Sequence, residues 1–358
     1  MKEKAIVYAE AFFGENDGKV ANGLVRHSEK YEIVGVVDST KAGLDAGDVL
    51  DGEAKGILVF PTINAALEIL AVQPECFIYG IAPTHPVLSK NEREVFFLAM
   101  EKGLNIVNGL PEFFTDDLEF MDYAVEYGVT ITDVRKPLPR EELHPFTGKI
   151  HLALTPVIAI MGTDCAIGKR TTAMQLVTAL REEGLKIAFI ATGQTGLLQG
   201  AKYGAAIDVL SSGFATGAVE HAILTAEAAE KPDMIIVEGQ GALGHPSYTS
   251  SAAILKGALP DAIILQHAPN RLNYCTYPEM SLTSLQSEID LLEAFCGPRV
   301  MAITLNHENM SDAELELTIV EYEATYQLPV TDVLKKGCDK LVDKLAVFFP
   351  DLSTPAIA

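Results

Sequence analysis

Val157-Ile158-Ala159-Ile160-Met161-Gly162-Thr163-Asp164-Cys165-Ala166-Ile167-Gly168-Lys169-Arg170-Thr171-Thr172 decides how the rest of the chain reads. Five apolar residues run into a glycine, a loop with one carboxylate follows, and Gly168-Lys169 opens an amphipathic stretch. A strand, a loop of phosphate size and a helix stand in succession. Such a loop turns several backbone N–H groups toward one point, the helix start adds partial positive charge, and a lysine there meets a phosphate. We read residues 162–172 as an anion cradle, and the flanking periodicity as the start of a P-loop domain.

The cradle departs from the usual G-x-x-x-x-G-K-[ST] pattern. Five residues separate Gly162 from Gly168, and Arg170 stands where a hydroxyl would hold Mg²⁺ on a nucleotide. Thr171 and Thr172 lie one and two positions further on, turned by about 100° and 200° around the helix. Lys169 and Arg170 also put two cations into a first helical turn, where the helix dipole disfavours them until a polyanion binds. The expected ligand carries phosphates and needs no metal, which fits coenzyme A; the alternative is ATP with Mg²⁺. No metal ligand is assigned. No histidine adjoins Cys165 in sequence, so it reads as a small loop residue and not as a nucleophile.

Upstream, short apolar runs at 5–8, 33–37, 56–60, 77–80, 106–108 and 129–131 alternate with helical patterns at 62–72, 91–102 and 118–127. Strands separated by helices of that length imply a parallel sheet covered on both faces. This predicts a Rossmann-like domain over 1–135. Its first turn lacks G-x-G-x-x-G, although Asp38 ends the second strand where a ribose-binding acid would sit. A stretch with three prolines and mixed charge, 136–150, reads as the linker. Over 151–358 the alternation resumes, with strands at 157–161, 186–191, 234–238, 262–266 and 300–305 and helices at 169–183, 215–230, 281–295, 311–325 and 338–349. The fold class expected is α/β, with two doubly wound domains.

Ligands of open α/β sheets bind at the carboxyl ends of the strands. At those ends lie Thr192-Gly193-Gln194-Thr195-Gly196, read as a flexible polar loop, Glu238-Gly239-Gln240-Gly241, His267-Ala268-Pro269-Asn270-Arg271, and Asn306-His307. We take Gln194, Gln240, His267, Arg271 and Asn306 as substrate-binding candidates, and Glu238 and Lys169 as catalytic ones. Arg271 suits a substrate carboxylate. Glu238 has three readings: a metal- or water-holding acid of a nucleoside triphosphatase, a general base for an attacking amine, or a structural acceptor for the N–H groups of Gly239 and Gly241.

Composition narrows the partners. The 358 residues carry 27 Lys plus Arg against 49 Asp plus Glu, a formal charge of −22, with 48% hydrophobic residues. No broad basic face exists for nucleic acid. The apolar run at 5–8 is far too short for a signal peptide, and no run approaches a membrane span. Five cysteines without CxxC spacing suggest a reducing compartment, so the expected location is cytoplasmic. The partner expected is a small-molecule amino-acid substrate, and a homo-oligomer is the expected assembly.

Two resemblances attach to these residues. Gly162-Thr163-Asp164 with Gly168-Lys169, and Val237-Glu238-Gly239-Gln240-Gly241, resemble the corresponding loops of dethiobiotin synthetase and its P-loop relatives. The whole chain resembles a two-domain family, long uncharacterised, that includes the D-glutamate N-acetyltransferases. Residues 162–172, 192–196, 238–241 and Gln266-His267-Ala268-Pro269-Asn270-Arg271 carry that match. The resemblance implies transfer of acetyl from acetyl-CoA to the amino group of D-glutamate in D-amino-acid catabolism. The dethiobiotin synthetase likeness implies instead an ATP-dependent ligase or kinase.

Overall fold

Each half of the chain winds its own parallel sheet. The structure, a computed structural model, describes residues 2–82 and 87–352. The chain divides into two compact units, Met1–Leu138 with Gln194–Ala201, and Pro139–Gly193 with Lys202–Ala358.

The first unit holds β1 (Glu3–Tyr8), β2 (Tyr31–Val37), β3 (Leu58–Phe60), β4 (Cys76–Tyr79), β5 (Asn105–Asn108) and β6 (Ile131–Asp133). They pair in parallel in the order β3-β2-β1-β4-β5-β6, the Rossmann order, with its switch between β1 and β4. Helices α1 (Lys19–Arg26), α2 (Ala46–Asp51), α3 (Ile63–Ile69), α4 (Lys90–Glu101) and α5 (Leu118–Tyr127) supply the rest. A capping box between Ser89 and Glu92 starts α4, and Asp117 caps α5. Asp38 is fully buried: its Oδ2 accepts from Phe13 N at 3.0 Å and its Oδ1 from Thr40 N at 2.9 Å. It pins the first turn and is not laid out to read a ribose.

The second unit holds β7 (Val157–Gly162), β8 (Ile187–Ala191), β9 (Tyr203–Gly204), β10 (Met234–Glu238), β11 (Ala262–His267), the hairpin β12 (Asn273–Tyr274) with β13 (Tyr277–Ser281), β14 (Val300–Leu305) and β15 (Val330–Thr331). The seven-stranded parallel sheet runs β15-β14-β11-β7-β10-β8-β9. β7 is central and buried throughout, with β10 on one side and β11 on the other. Glu238 stands level with Ile160 and Gln266 with Gly162, so the loop after β7 emerges between two strand ends that carry polar residues. Helix α6 (Lys169–Glu182) follows that loop, and α8 (Ser212–Glu230), α9 (Ser250–Ala258), α10 (Leu285–Cys296), α11 (Asp312–Tyr326), α12 (Val333–Lys336) and α13 (Asp339–Phe348) complete the unit. A short helix between them, α7 (Gln194–Leu198), belongs to the first unit. There Leu198 joins the apolar core and Gln199 Nε2 donates to Gly23 O at 2.6 Å and His27 O at 2.7 Å.

Several elements depart from the sequence expectation. Residues 194–198 form α7 instead of open loop. The strand expected at 129–131 lies at 131–133. The helix expected from 281 starts at Leu285, because Ser284 caps it by accepting from Ser287 N and residues 277–281 belong to the hairpin. Helices α1, α2 and α9 and the edge strands β9 and β15 had no counterpart in the apolar pattern. Among the described residues no helix is long and apolar enough to cross a membrane.

Glu220 on α8, 2% exposed, anchors the segment before β7. Its carboxylate accepts from Thr147 N at 2.6 Å, Thr147 Oγ1 at 3.0 Å and Ile150 N at 3.1 Å. Burial alone would raise its pKa, but these N–H and O–H bonds outweigh burial and hold it below the ordinary 4.5. The stabilisation is therefore present above pH 4.5 and lost as pH falls through the lower folded value. We predict that Glu220→Gln lowers stability at neutral pH and that wild type and variant converge in acid; denaturant titrations at several pH values check this, and a gap independent of pH would contradict it.

Candidate phosphate site at the mouth of the second sheet

The loop after β7 is shaped by its glycines and held from behind. Gly168 adopts φ +97° immediately before α6, a conformation that side chains disfavour, and Ala166 also has positive φ at +50°. No side chain caps α6, which leaves its first N–H groups facing the loop. Asn306 Nδ2 donates to Ile167 O at 3.1 Å, and Lys169 Nζ donates to Asp164 O at 2.5 Å.

Asp164 lies at the elbow of the loop with no exposed surface. Its Oδ1 accepts from Cys165 N at 2.7 Å, and its Oδ2 accepts from Arg271 Nη1 and Cys275 N, both at 2.9 Å. Arg271 also donates from Nη1 to Cys165 O at 2.8 Å, and from Nε and Nη2 to the two carboxylate oxygens of Glu308, both at 2.7 Å. The guanidinium, expected as a clamp for a substrate carboxylate, is thus engaged within the protein and braces the loop against the ends of β11 and β14. His267 is likewise a support. Its Nδ1 shares a hydrogen bond with Thr163 Oγ1 at 2.8 Å, and burial pushes its pKa down to about 4, so it is neutral at physiological pH. Gln194 lies in the first unit, where its side-chain oxygen accepts from Arg135 Nη1 at 3.1 Å.

The metal-ligand position is altered in a consistent way. The Thr172 hydroxyl is buried and donates to Gln266 Oε1 at 2.5 Å, and Thr304 Oγ1 donates to the same oxygen at 2.6 Å. Of the two displaced threonines, Thr172 is thereby spent on β11. Glu238, 8% exposed, has its pKa raised by burial; the Arg170 charge is the chief influence pulling it back, followed by the bond from Thr192 N, at 3.3 Å from Oε2, and the Lys169 charge. Gln240 Nε2 donates to Thr192 O at 2.8 Å, while its buried Oε1 has no partner among the described residues.

Sequence reasoning missed His245 and Glu288. The Glu288 carboxylate accepts from Leu243 N at 2.6 Å and Gly244 N at 3.3 Å; burial raises its pKa, with the bonds from Leu243 N and Gly244 N and the Lys169 charge opposing. His245 is buried against Tyr248 and Tyr274, with Nε2 3.6 Å from Asp164 Oδ1. Asp164, Cys165 and His245 bring ligand-type atoms within 4.8 Å of one another. His245 Nδ1 accepts from Ser247 N at 3.2 Å. No sequence spacing signals either residue.

Residues 39–137 match the Rossmann-like N-terminal domain, and residues 144–342 the P-loop C-terminal domain, of a family described as a domain of unknown function, DUF1611. The chain belongs to the DUF1611 family. A DUF1611 crystal structure from Anabaena variabilis superposes with a TM-score of 0.87 at 28% identity, covering 97% of this chain and 100% of that one. Two curated relatives bear the name D-glutamate N-acetyltransferase. One, from a Pseudoalteromonas species, is 31% identical over 75% of this chain and 80% of its own length. The other, from Tritonibacter scottomollicae, is 29% identical over 78% and 83%.

Removing Arg271 would leave Asp164 buried beside a partner it no longer has. Arg271→Ala should cost about 3–5 kcal/mol, read as an earlier denaturant transition of the second unit. An unchanged midpoint would show that the brace is dispensable.

Proposed function

We propose that this chain is an N-acetyltransferase that moves acetyl from acetyl-CoA to the amino group of D-glutamate, with the coenzyme's phosphates on the loop 162–172. The observation that carries the reading is Arg170 standing where a nucleoside triphosphatase would place a magnesium-holding hydroxyl, with its charge the chief influence opposing the burial of Glu238. A guanidinium there and Lys169 suit a diphosphate without Mg²⁺. The names of the two relatives support the acyl-transfer chemistry and the acceptor, and a role in D-amino-acid catabolism is part of the same proposal.

Glu238 serves as base. It takes a proton from the substrate ammonium, the freed nitrogen attacks the thioester carbonyl, the carbon–sulfur bond breaks, and the coenzyme thiolate collects the second proton that the nitrogen gives up as the amide forms. Burial raises the Glu238 pKa toward the working pH and makes the carboxylate a better proton acceptor. The buried Gln240 Oε1, without a partner among the described residues, supports a role for Gln240 in accepting from the substrate amine. Lys169 and Arg170 supply the local positive field that a dianionic substrate needs against a net charge of −22.

The test follows free thiol during incubation with acetyl-CoA and D-glutamate. Thiol release that requires both is expected, and Glu238→Gln should lower kcat by about 10²–10⁴-fold with the KM for acetyl-CoA nearly unchanged. No thiol release, with substrate-stimulated phosphate release from MgATP instead, would replace this reading with the ATP-dependent ligase or kinase.

A further inference from the structure

Cys165 in the phosphate loop and Cys275 in the turn between β12 and β13 are far apart in sequence, yet their thiols hydrogen-bond to each other. The backbone imposes this contact. Cys275 N and Arg271 Nη1 both donate to Asp164 Oδ2, and Arg271 Nη1 donates to Cys165 O, so loop and turn are tied together around the sulfur pair. The Tyr248 hydroxyl also bonds to Cys165. The Cys165 sulfur, and burial after it, push the Cys275 thiol well above its ordinary range; burial, and Cys165 after it, do the same to Tyr248. Two thiols in contact supply an attacking and a resolving sulfur, and Cys275, held protonated, is the resolving one.

We propose that Cys165 and Cys275 are a redox modification site, forming a reversible disulfide that disables the phosphate loop. The oxidant class is a peroxide. The Cys165 thiolate attacks hydrogen peroxide, the O–O bond breaks, and sulfenic acid and hydroxide form, the hydroxide taking up the proton Cys165 had released. Cys275 sulfur then attacks the Cys165 sulfur, the S–O bond breaks, and water leaves with the Cys275 proton. Two thiols are oxidised and one peroxide becomes two waters. Cytosolic disulfides are commonly transient devices of this kind.

Closing the sulfurs to about 2.05 Å draws the backbone at 165 toward the hairpin turn. The loop has little slack to absorb this, since Ala166 and Gly168 sit at positive φ and Asn306 holds Ile167 O. Its amides are re-aimed away from their common point. The inference rests on the loop holding phosphate, whatever the acyl acceptor.

The experiment treats the full-length protein with hydrogen peroxide, counts thiols by alkylation, maps cross-linked peptides, and measures binding of inorganic pyrophosphate by calorimetry. Expected are the loss of two of the five thiols, a Cys165–Cys275 cross-link, and pyrophosphate binding weakened by at least about tenfold, as for one lost hydrogen bond to a charged group. Dithiothreitol should restore binding, and Cys275→Ser should bind equally before and after peroxide. A cross-link mapped elsewhere, unchanged thiols, or a cross-linked protein that binds as tightly as the reduced one would overturn the proposal. Reduced wild type that binds no pyrophosphate would overturn the phosphate-loop reading beneath it.

Discussion

Asp164 is a carboxylate buried without exposure in the bend of a loop, and the second unit is arranged around keeping it paired. Arg271, arriving after β11, neutralises it and reaches on to Glu308 after β14, so three successive strand ends of the sheet are joined by one chain of charges. Each ion alone would be costly in that environment; together, with every Asp164 oxygen accepting an N–H, they hold the loop in one shape. The brace lies behind the loop, leaving the uncapped start of α6 for a ligand.

The same fold serves many nucleotide enzymes, so the residues at the strand ends must decide which ligand it takes. Here they agree with one another. Arg170 sits in the hydroxyl position, Thr172 is turned away into β11, and the Arg170 charge is the chief influence opposing the burial of the carboxylate that ends β10. A guanidinium is always charged and forks onto phosphate oxygens, so on the proposed reading it supplies permanently what a nucleoside triphosphatase recruits from solution as Mg²⁺. The same reading leaves Glu238 for proton transfer.

Much of the architecture was legible in the sequence because buried parallel strands read as unbroken apolar runs, and β7, β10, β11 and β14 all do. Elements without that signal were missed for physical reasons. α1 carries Asn22 and Gly23 in its interior, poor helix formers that tertiary packing overrides. α9 contains Gly257, where a Cβ would lie 2.5 Å from Thr216 O, so close helix packing and not propensity placed it there. At the site, the strand-end rule brought Glu238, His267, Arg271 and Asn306 to one sheet edge, but whether a polar side chain faces a ligand or its own backbone depends on partners far along the chain. Arg271 turned inward because Asp164 and Glu308 meet it, and His245, Cys275 and Glu288 join through contacts no local spacing encodes.

If a guanidinium takes the metal's place in this phosphate site, the coenzyme must bind without a divalent cation. The most direct test is the affinity for acetyl-CoA, measured by calorimetry in excess EDTA and again in excess Mg²⁺. The same dissociation constant in both is predicted, since Arg170 and Lys169 already meet the diphosphate; binding that requires Mg²⁺ would contradict the substitution of guanidinium for metal.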